Sequence, residues 1–197
     1  MFAFDIRGLT GIFSFITDHR KRLLKMMPKG SICAEIGVWK GDFSKRILEI
    51  TKPAELHLID PWEFQPNFPT RWYGGTKASD QSDMDEIFTS VRERFSENTE
   101  VSLHRGRSEI AHADFPDDFF DWVYVDGNHD YDFVRLDLEL YLPKVKTGGY
   151  LTGDDYLQPS REDAKQIPVK EAVSDFVSEN DVKIHKIIGG QFILRKN

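Results

Sequence analysis

Ile32-Cys33-Ala34-Glu35-Ile36-Gly37-Val38-Trp39-Lys40-Gly41 and, after it, Leu56-His57-Leu58-Ile59-Asp60 decide the fold of this chain. The first apolar run ends at Gly37, and a helix carrying Ile47, Leu48 and Ile50 is expected before the second run begins. A short apolar strand, a glycine turn, a helix and a second strand make one βα unit of a parallel sheet. Further units follow. Met84, Ile87, Phe88, Val91 and Phe95 share one helix face, with Asp83 and Glu86 fitting a capping box at its start. Val101 to His104 reads as strand three, Asp121 to Asp126 as strand four, and Gly149 to Thr152 as strand five. Val134, Leu138, Tyr141 and Leu142 form the helix face between the last two.

The pattern changes beyond strand five. Pro168 opens a helix bearing Val173, Phe176 and Val177, after which Val182 to Ile188, Gly189-Gly190 and Gln191 to Leu194 read as a β-hairpin. Upstream, residues 1–30 form an N-terminal helical segment whose apolar face holds Ile12, Phe13, Ile16, Leu23, Leu24 and Met27. The expected architecture is a single α/β domain over residues 1–197, interrupted by an irregular segment at 62–80.

With 40% hydrophobic and 30% charged residues the composition is that of a globular protein, and a net charge of −7 argues against nucleic acid as partner. A small molecule is the expected partner. The lone Cys33 excludes an internal disulfide and points to a reducing, cytoplasmic setting. The apolar stretch from Gly8 to Thr17 is too short to span a membrane and lacks a small-residue cleavage site, so neither insertion nor export is expected.

Glycines at a strand-to-helix turn let a ligand approach the backbone and the free N–H groups of the helix start. The spacing here is not Gly-x-Gly-x-x-Gly, which disfavours a nicotinamide dinucleotide. Asp60 ends the next strand, where a carboxylate can accept both hydroxyls of a ribose, or serve only as a turn residue. Gly106-Arg107-Ser108 is placed for a polar contact to a base, or for a helix cap at Ser108.

Glu35-Ile-Gly-Val-x-x-Gly41 resembles the first motif of class I S-adenosylmethionine (SAM)-dependent methyltransferases, particularly the cation-dependent O-methyltransferases. Val125-Asp-Gly-Asn-His-Asp-Tyr131, Leu142-Pro-x-x-x-x-Gly-Gly149 and Gly153-Asp-Asp-Tyr156 resemble the macrocin O-methyltransferase-like enzymes. The resemblance implies a Rossmann-like sheet of seven mostly parallel strands with a C-terminal antiparallel hairpin and helices on both faces. It also implies SAM as cofactor, with Glu35, Gly37, Trp39 and Gly41 around the methionine portion, Asp60 on the ribose, and Pro61 and Ser108 near adenine. Asp126 is expected to border the cofactor as well.

Methyl transfer from a sulfonium needs chiefly an aligned nucleophile and removal of its proton. Asp126, Asp154 and Asp155 end neighbouring strands, with a spacing that matches the metal site implied by the catechol-type enzymes. Hard oxygen ligands suit Mg²⁺, Mn²⁺ or Ca²⁺, and solvated loop carboxylates are the alternative. His129 occupies the position of the general base that the same resemblance implies. Trp62, Phe64, Phe68, Trp72 and Tyr73 form either a lid over the acceptor or a packing or homodimer contact. His104, His112 and His185 are expected to be structural. The function implied is cation-assisted O-methylation of a small hydroxylated molecule; metal-free methylation of another acceptor and cofactor binding without transfer are the alternatives.

Overall fold

Burial of β1 (Ile32–Ile36) on both of its faces organises a doubly wound sheet in the computed structural model, which describes residues 18–161 and 163–197. Successive side chains of a strand point to opposite faces. Cys33 accordingly packs with Leu56, Leu58, Ile47, Met84 and Val91 on one side of the sheet. Its neighbour Ala34 packs with Val123, Leu138, Leu151 and Phe176 on the other.

Around β1 stand β2 (Glu55–Asp60), β3 (Val101–Arg105), β4 (Phe120–Val125), β5 (Val145–Gly153), β6 (Val182–Ile188) and β7 (Gln191–Lys196), in the spatial order β3-β2-β1-β4-β5-β7-β6. The first five run parallel, and β7 enters antiparallel between β5 and β6. This is the expected seven-stranded arrangement. Gly189, at φ +60°, provides the turn of the terminal hairpin.

Helices α1 (His19–Leu24), α2 (Asp42–Thr51) and α3 (Gln81–Arg94) cover one face, while α4 (Ser108–Ala111), α5 (Tyr131–Tyr141) and α6 (Pro168–Glu179) lie on the other. Pro168 opens α6 as expected. Leu23, Leu24 and Met27 are buried as expected, whereas Ile12, Phe13 and Ile16 fall outside the described residues. Among the described residues no helix is long and apolar enough to cross a membrane.

The start of α3 differs from the expected capping box. Asp80, in an extended conformation, caps the helix by accepting from the Ser82 and Asp83 amides at 2.8 and 3.3 Å. Asp83 turns back to the Ser79 amide at 2.6 Å, so the cap lies one turn earlier than the Asp83–Glu86 pair. Strand five is also longer than expected, because Val145 pairs with Phe120 before a register shift brings Tyr150 beside Trp122.

Leu138 is fully buried between α5 and the sheet. Leu138→Ala is expected to cost about 2–5 kcal/mol of unfolding free energy through lost burial and a residual cavity. Urea unfolding of both forms measures that difference.

Candidate active site

The turn after β1 presses its backbone against the end of β4. Gly37 has φ +87°, and a Cβ there would lie 2.2 Å from the Asp126 carbonyl oxygen, so no other residue fits without moving one strand. Trp39 follows at φ +54°. Gly41 begins α2 at φ +74°, where a Cβ would meet the Phe95 ring at 2.8 Å. Gly41 therefore serves helix packing behind the turn, while Glu35, Gly37 and Trp39 line a cavity of ≈ 800 Å³ at the carboxyl edge of the sheet. Burial pushes the Glu35 carboxyl well up, against the opposing hydrogen bond donated by Ser44 Oγ at 2.5 Å.

Asp60 is the hub of this edge. Its Oδ2 accepts from the Val38 amide at 2.8 Å, the Trp39 amide at 3.0 Å and the Tyr73 hydroxyl at 2.5 Å. Its Oδ1 accepts from the Trp62 amide at 2.7 Å. Burial raises the carboxyl above its ordinary value, and the Tyr73 bond followed by the backbone bonds opposes the rise. The sequence pointed to Asp60, and to Tyr73 only as one of the lid or packing aromatics of the 62–80 segment, not as the partner of Asp60.

Asp126, His129 and Asp155 also face the cavity. His129 Nδ1 stands 2.7 Å from Asp155 Oδ2, and Nε2 stands 3.4 Å from Asp126 Oδ1. That Nε2 is buried and, among the described residues, makes no hydrogen bond. Although burial disfavours its charge, the flanking Asp126 and Asp155 carboxylates raise the His129 imidazole to about 10, so it is protonated at neutral pH. Burial raises the Asp126 carboxyl, with contact to His129 and the charge of Arg20 opposing it. For Asp155 burial works against the charge, but His129 prevails and holds the carboxyl below its usual value.

Asp154 stands apart from this group, contrary to the expected three-carboxylate set. It receives Arg20 Nε at 2.6 Å, the Gln191 amide and the Asp155 backbone N–H at 2.8 Å, and it does not line the cavity. Arg20 also reaches Asp126 Oδ2 from Nη2 at 2.9 Å, its guanidinium lying 5.1 Å above the Phe43 ring. Among the described residues, the group that brings candidate ligand atoms within 4.8 Å of one another is Asp126, His129 and Asp155. Arg20 escaped sequence reasoning because it sits in a basic run whose spacing signals only a solvated helix.

The remaining wall carries Pro61, Ser108 and Asp137. Ser108 is the first residue of α4 rather than its cap, and donates from Oγ to Asp137 Oδ1 at 2.5 Å. Burial pushes Asp137 up to about 7, with Ser108 opposing and Glu109 adding to the shift. Of the five aromatic residues in the 62–80 segment, Phe64, Phe68, Trp72 and Tyr73 line the cavity. Trp62 instead belongs to the core, its Nε1 donating to the Trp39 carbonyl at 2.8 Å. His104 pairs with His57 at 3.0 Å, and neither it, His112 nor His185 lines the cavity.

A family model described as a methyltransferase domain matches residues 34–156. No curated protein matches the chain in sequence. Among solved structures, the O-methyltransferase NovP is similar at 18% identity, covering 91% of this chain and 80% of that one, with a TM-score of 0.62. A SAM-dependent methyltransferase from Aquifex aeolicus is similar at 13% identity, covering 90% and 88%, with a TM-score of 0.59. A candidate caffeoyl-CoA O-methyltransferase from Staphylococcus aureus is similar at 15% identity, covering 99% and 85%, with a TM-score of 0.61. At these identities the likeness is one of fold.

Asp137 offers a test of the wall's electrostatics. Burial raises its folded carboxyl to about 7 from the ordinary 3.8, so the folded state holds the proton more tightly than the unfolded chain. That contribution is fully present below 3.8 and is lost as pH rises from there through about 7. Asp137→Asn keeps an oxygen for Ser108 without the titration. Thermal melts from pH 4 to 8 should show the variant losing less stability than the wild type across that window.

Proposed function

The chain belongs to the methyltransferase-domain family, and from that membership we propose that this SAM-dependent methyltransferase O-methylates a small hydroxylated molecule with the help of a divalent cation. The observation that carries the proposal is the Asp126–His129–Asp155 group, which opens into the same cavity as the Gly37 turn and Asp60. In this reading Glu35, Gly37 and Trp39 surround the methionine portion, Asp60 takes the ribose, and Pro61 and Ser108 border the adenine. Asp126 joins the two halves of the site, because its carbonyl abuts Gly37 while its carboxylate faces His129.

The donors of Asp126, His129 and Asp155 suit a cation such as Mn²⁺ or Mg²⁺, and His129 Nε2, which makes no hydrogen bond among the described residues, is the buried polar atom that such an ion would satisfy. A bound ion would supply Lewis-acid polarisation of the acceptor hydroxyl. Before His129 can serve as a ligand it must shed its proton, which makes metal affinity rise with pH.

A second reading is favoured by Arg20. Its guanidinium on Asp126 and Asp154, together with the protonated His129 between Asp126 and Asp155, supplies positive charge to all three carboxylates without an ion. Once deprotonated, His129 is then the base that receives the hydroxyl proton. Its value of about 10 is close to that of an ordinary phenol, so the transfer from a phenolic acceptor is near balance.

The test is methyl transfer from SAM to a panel of catechol, sugar and polyketide hydroxyls, with and without chelator. Turnover on oxygen that stops in chelator and returns with Mn²⁺ or Mg²⁺ is the expected result. Full turnover in chelator establishes the metal-free reading, and methylation confined to nitrogen or sulfur overturns O-methylation. In the metal-free reading the rate rises with pH toward about 10 as His129 loses its proton. His129→Ala should slow transfer by about 10²- to 10⁴-fold with little change in cofactor affinity.

A further inference from the structure

Asp60 Oδ2 has no acceptor capacity to spare. An ionised carboxylate offers about four lone-pair positions, about two on each oxygen, and three donors crowd Oδ2, the amides of Val38 and Trp39 and the Tyr73 hydroxyl, while Oδ1 accepts from the Trp62 amide. A ribose that sets one hydroxyl on each oxygen of Asp60 must therefore displace a donor from Oδ2. The Val38 and Trp39 amides belong to the turn anchored by the Gly37 amide on the Ile59 carbonyl at 2.9 Å. The Trp62 amide lies two residues beyond Asp60 in the same connection, behind a side chain that is fully buried. Tyr73 supplies the one side chain among the four donors, and it arrives from the far end of the 62–80 segment.

We infer that Tyr73 is an internal occupant of the cofactor site, its hydroxyl holding on Asp60 the place of a ribose hydroxyl, so that SAM enters only as the phenol leaves. The inference rests on Asp60 being the ribose acceptor. The Tyr73 ring lies 5.1 Å from the Trp39 ring, which Trp72 also flanks at 5.4 Å, so the aromatic group sits on the very turn that borders the cofactor.

The segment that carries Tyr73 crosses the cavity mouth. Arg71 pairs with Asp130 at the start of α5, Arg161 donates to the Thr70 carbonyl at 2.8 Å, and Phe68 meets Phe133 edge-on at 6.1 Å. The Arg71–Asp130 pair is partly exposed, and exposed ion pairs hold weakly. The strap can thus open at its outer contacts, while the buried phenol–carboxylate bond is the contact the cofactor must replace. A site whose competent form is only fractionally populated binds its ligand more weakly by that fraction.

Tyr73→Phe keeps the ring and its stacking but removes the competing hydroxyl. With S-adenosylhomocysteine as probe, calorimetric titration should show the variant binding about 10-fold or more tightly than the wild type, with faster association in stopped-flow tryptophan fluorescence. Introducing Asp60→Ala into the Tyr73→Phe protein should abolish that gain. Equal or weaker binding by folded Tyr73→Phe, with the wild type binding normally, overturns the role of Tyr73 and leaves the cofactor reading intact. A gain that survives Asp60→Ala overturns the competition at Asp60. Failure of every form to bind the probe overturns both.

Discussion

A carboxylate withdrawn from water costs several kcal/mol unless donors replace the solvent it has given up, and Asp60 is withdrawn almost completely. Its replacement donors come from two separate pieces of chain: the turn after β1, and the 62–80 segment, which contributes Trp62 at its start and Tyr73 further on. One buried charge thereby ties the glycine turn to its neighbouring strand and brings an otherwise irregular stretch down over the sheet edge. Gly37 is the steric counterpart, since only a residue without a Cβ lets this turn approach the Asp126 carbonyl. The cavity between Asp60 and Asp126 follows from these two constraints.

The opposite end of the cavity is governed by charge compensation. Asp126, Asp154 and Asp155 gather where β4 and β5 end, and a cluster of that sign needs positive charge close by. Arg20 delivers it from α1, and protonated His129 delivers it from the loop after β4. Helix α1 is therefore part of this cluster's electrostatics as well as a cover for the core through Leu23 and Leu24. Any cation entering this centre meets a site already partly neutralised, with the proton on His129 as its direct competitor.

The order of elements along the chain, the terminal hairpin and the start of α6 were legible because apolar periodicity, Gly189-Gly190 and Pro168 are local signals, whereas the arrangement of the strands in the sheet came from the family resemblance. The placing of Gly37, Asp60 and Asp126 at the carboxyl edge was legible because they stand at a glycine turn and at strand ends. What escaped depends on side chains meeting across long sequence separations. Tyr73 reaching Asp60, Arg20 reaching Asp126, and Asp154 turning to Arg20 and Gln191 leave no periodic trace. One error was local. Asp80 and Asp83 both suit a helix start, and only backbone conformation shows which of them caps. Gly41, which the resemblance placed near the cofactor, does not line the cavity, and packing against the Phe95 ring by itself calls for a glycine there.

The most direct measurement is a crystal structure of the protein with S-adenosylhomocysteine. The account predicts ribose hydroxyls on the Asp60 carboxylate, the Tyr73 hydroxyl displaced from it, and the sulfur directed toward Asp126 and His129. A nucleoside bound elsewhere, or one bound in the cavity with the Tyr73 hydroxyl still on Asp60 and the ribose making no contact to that carboxylate, would contradict it.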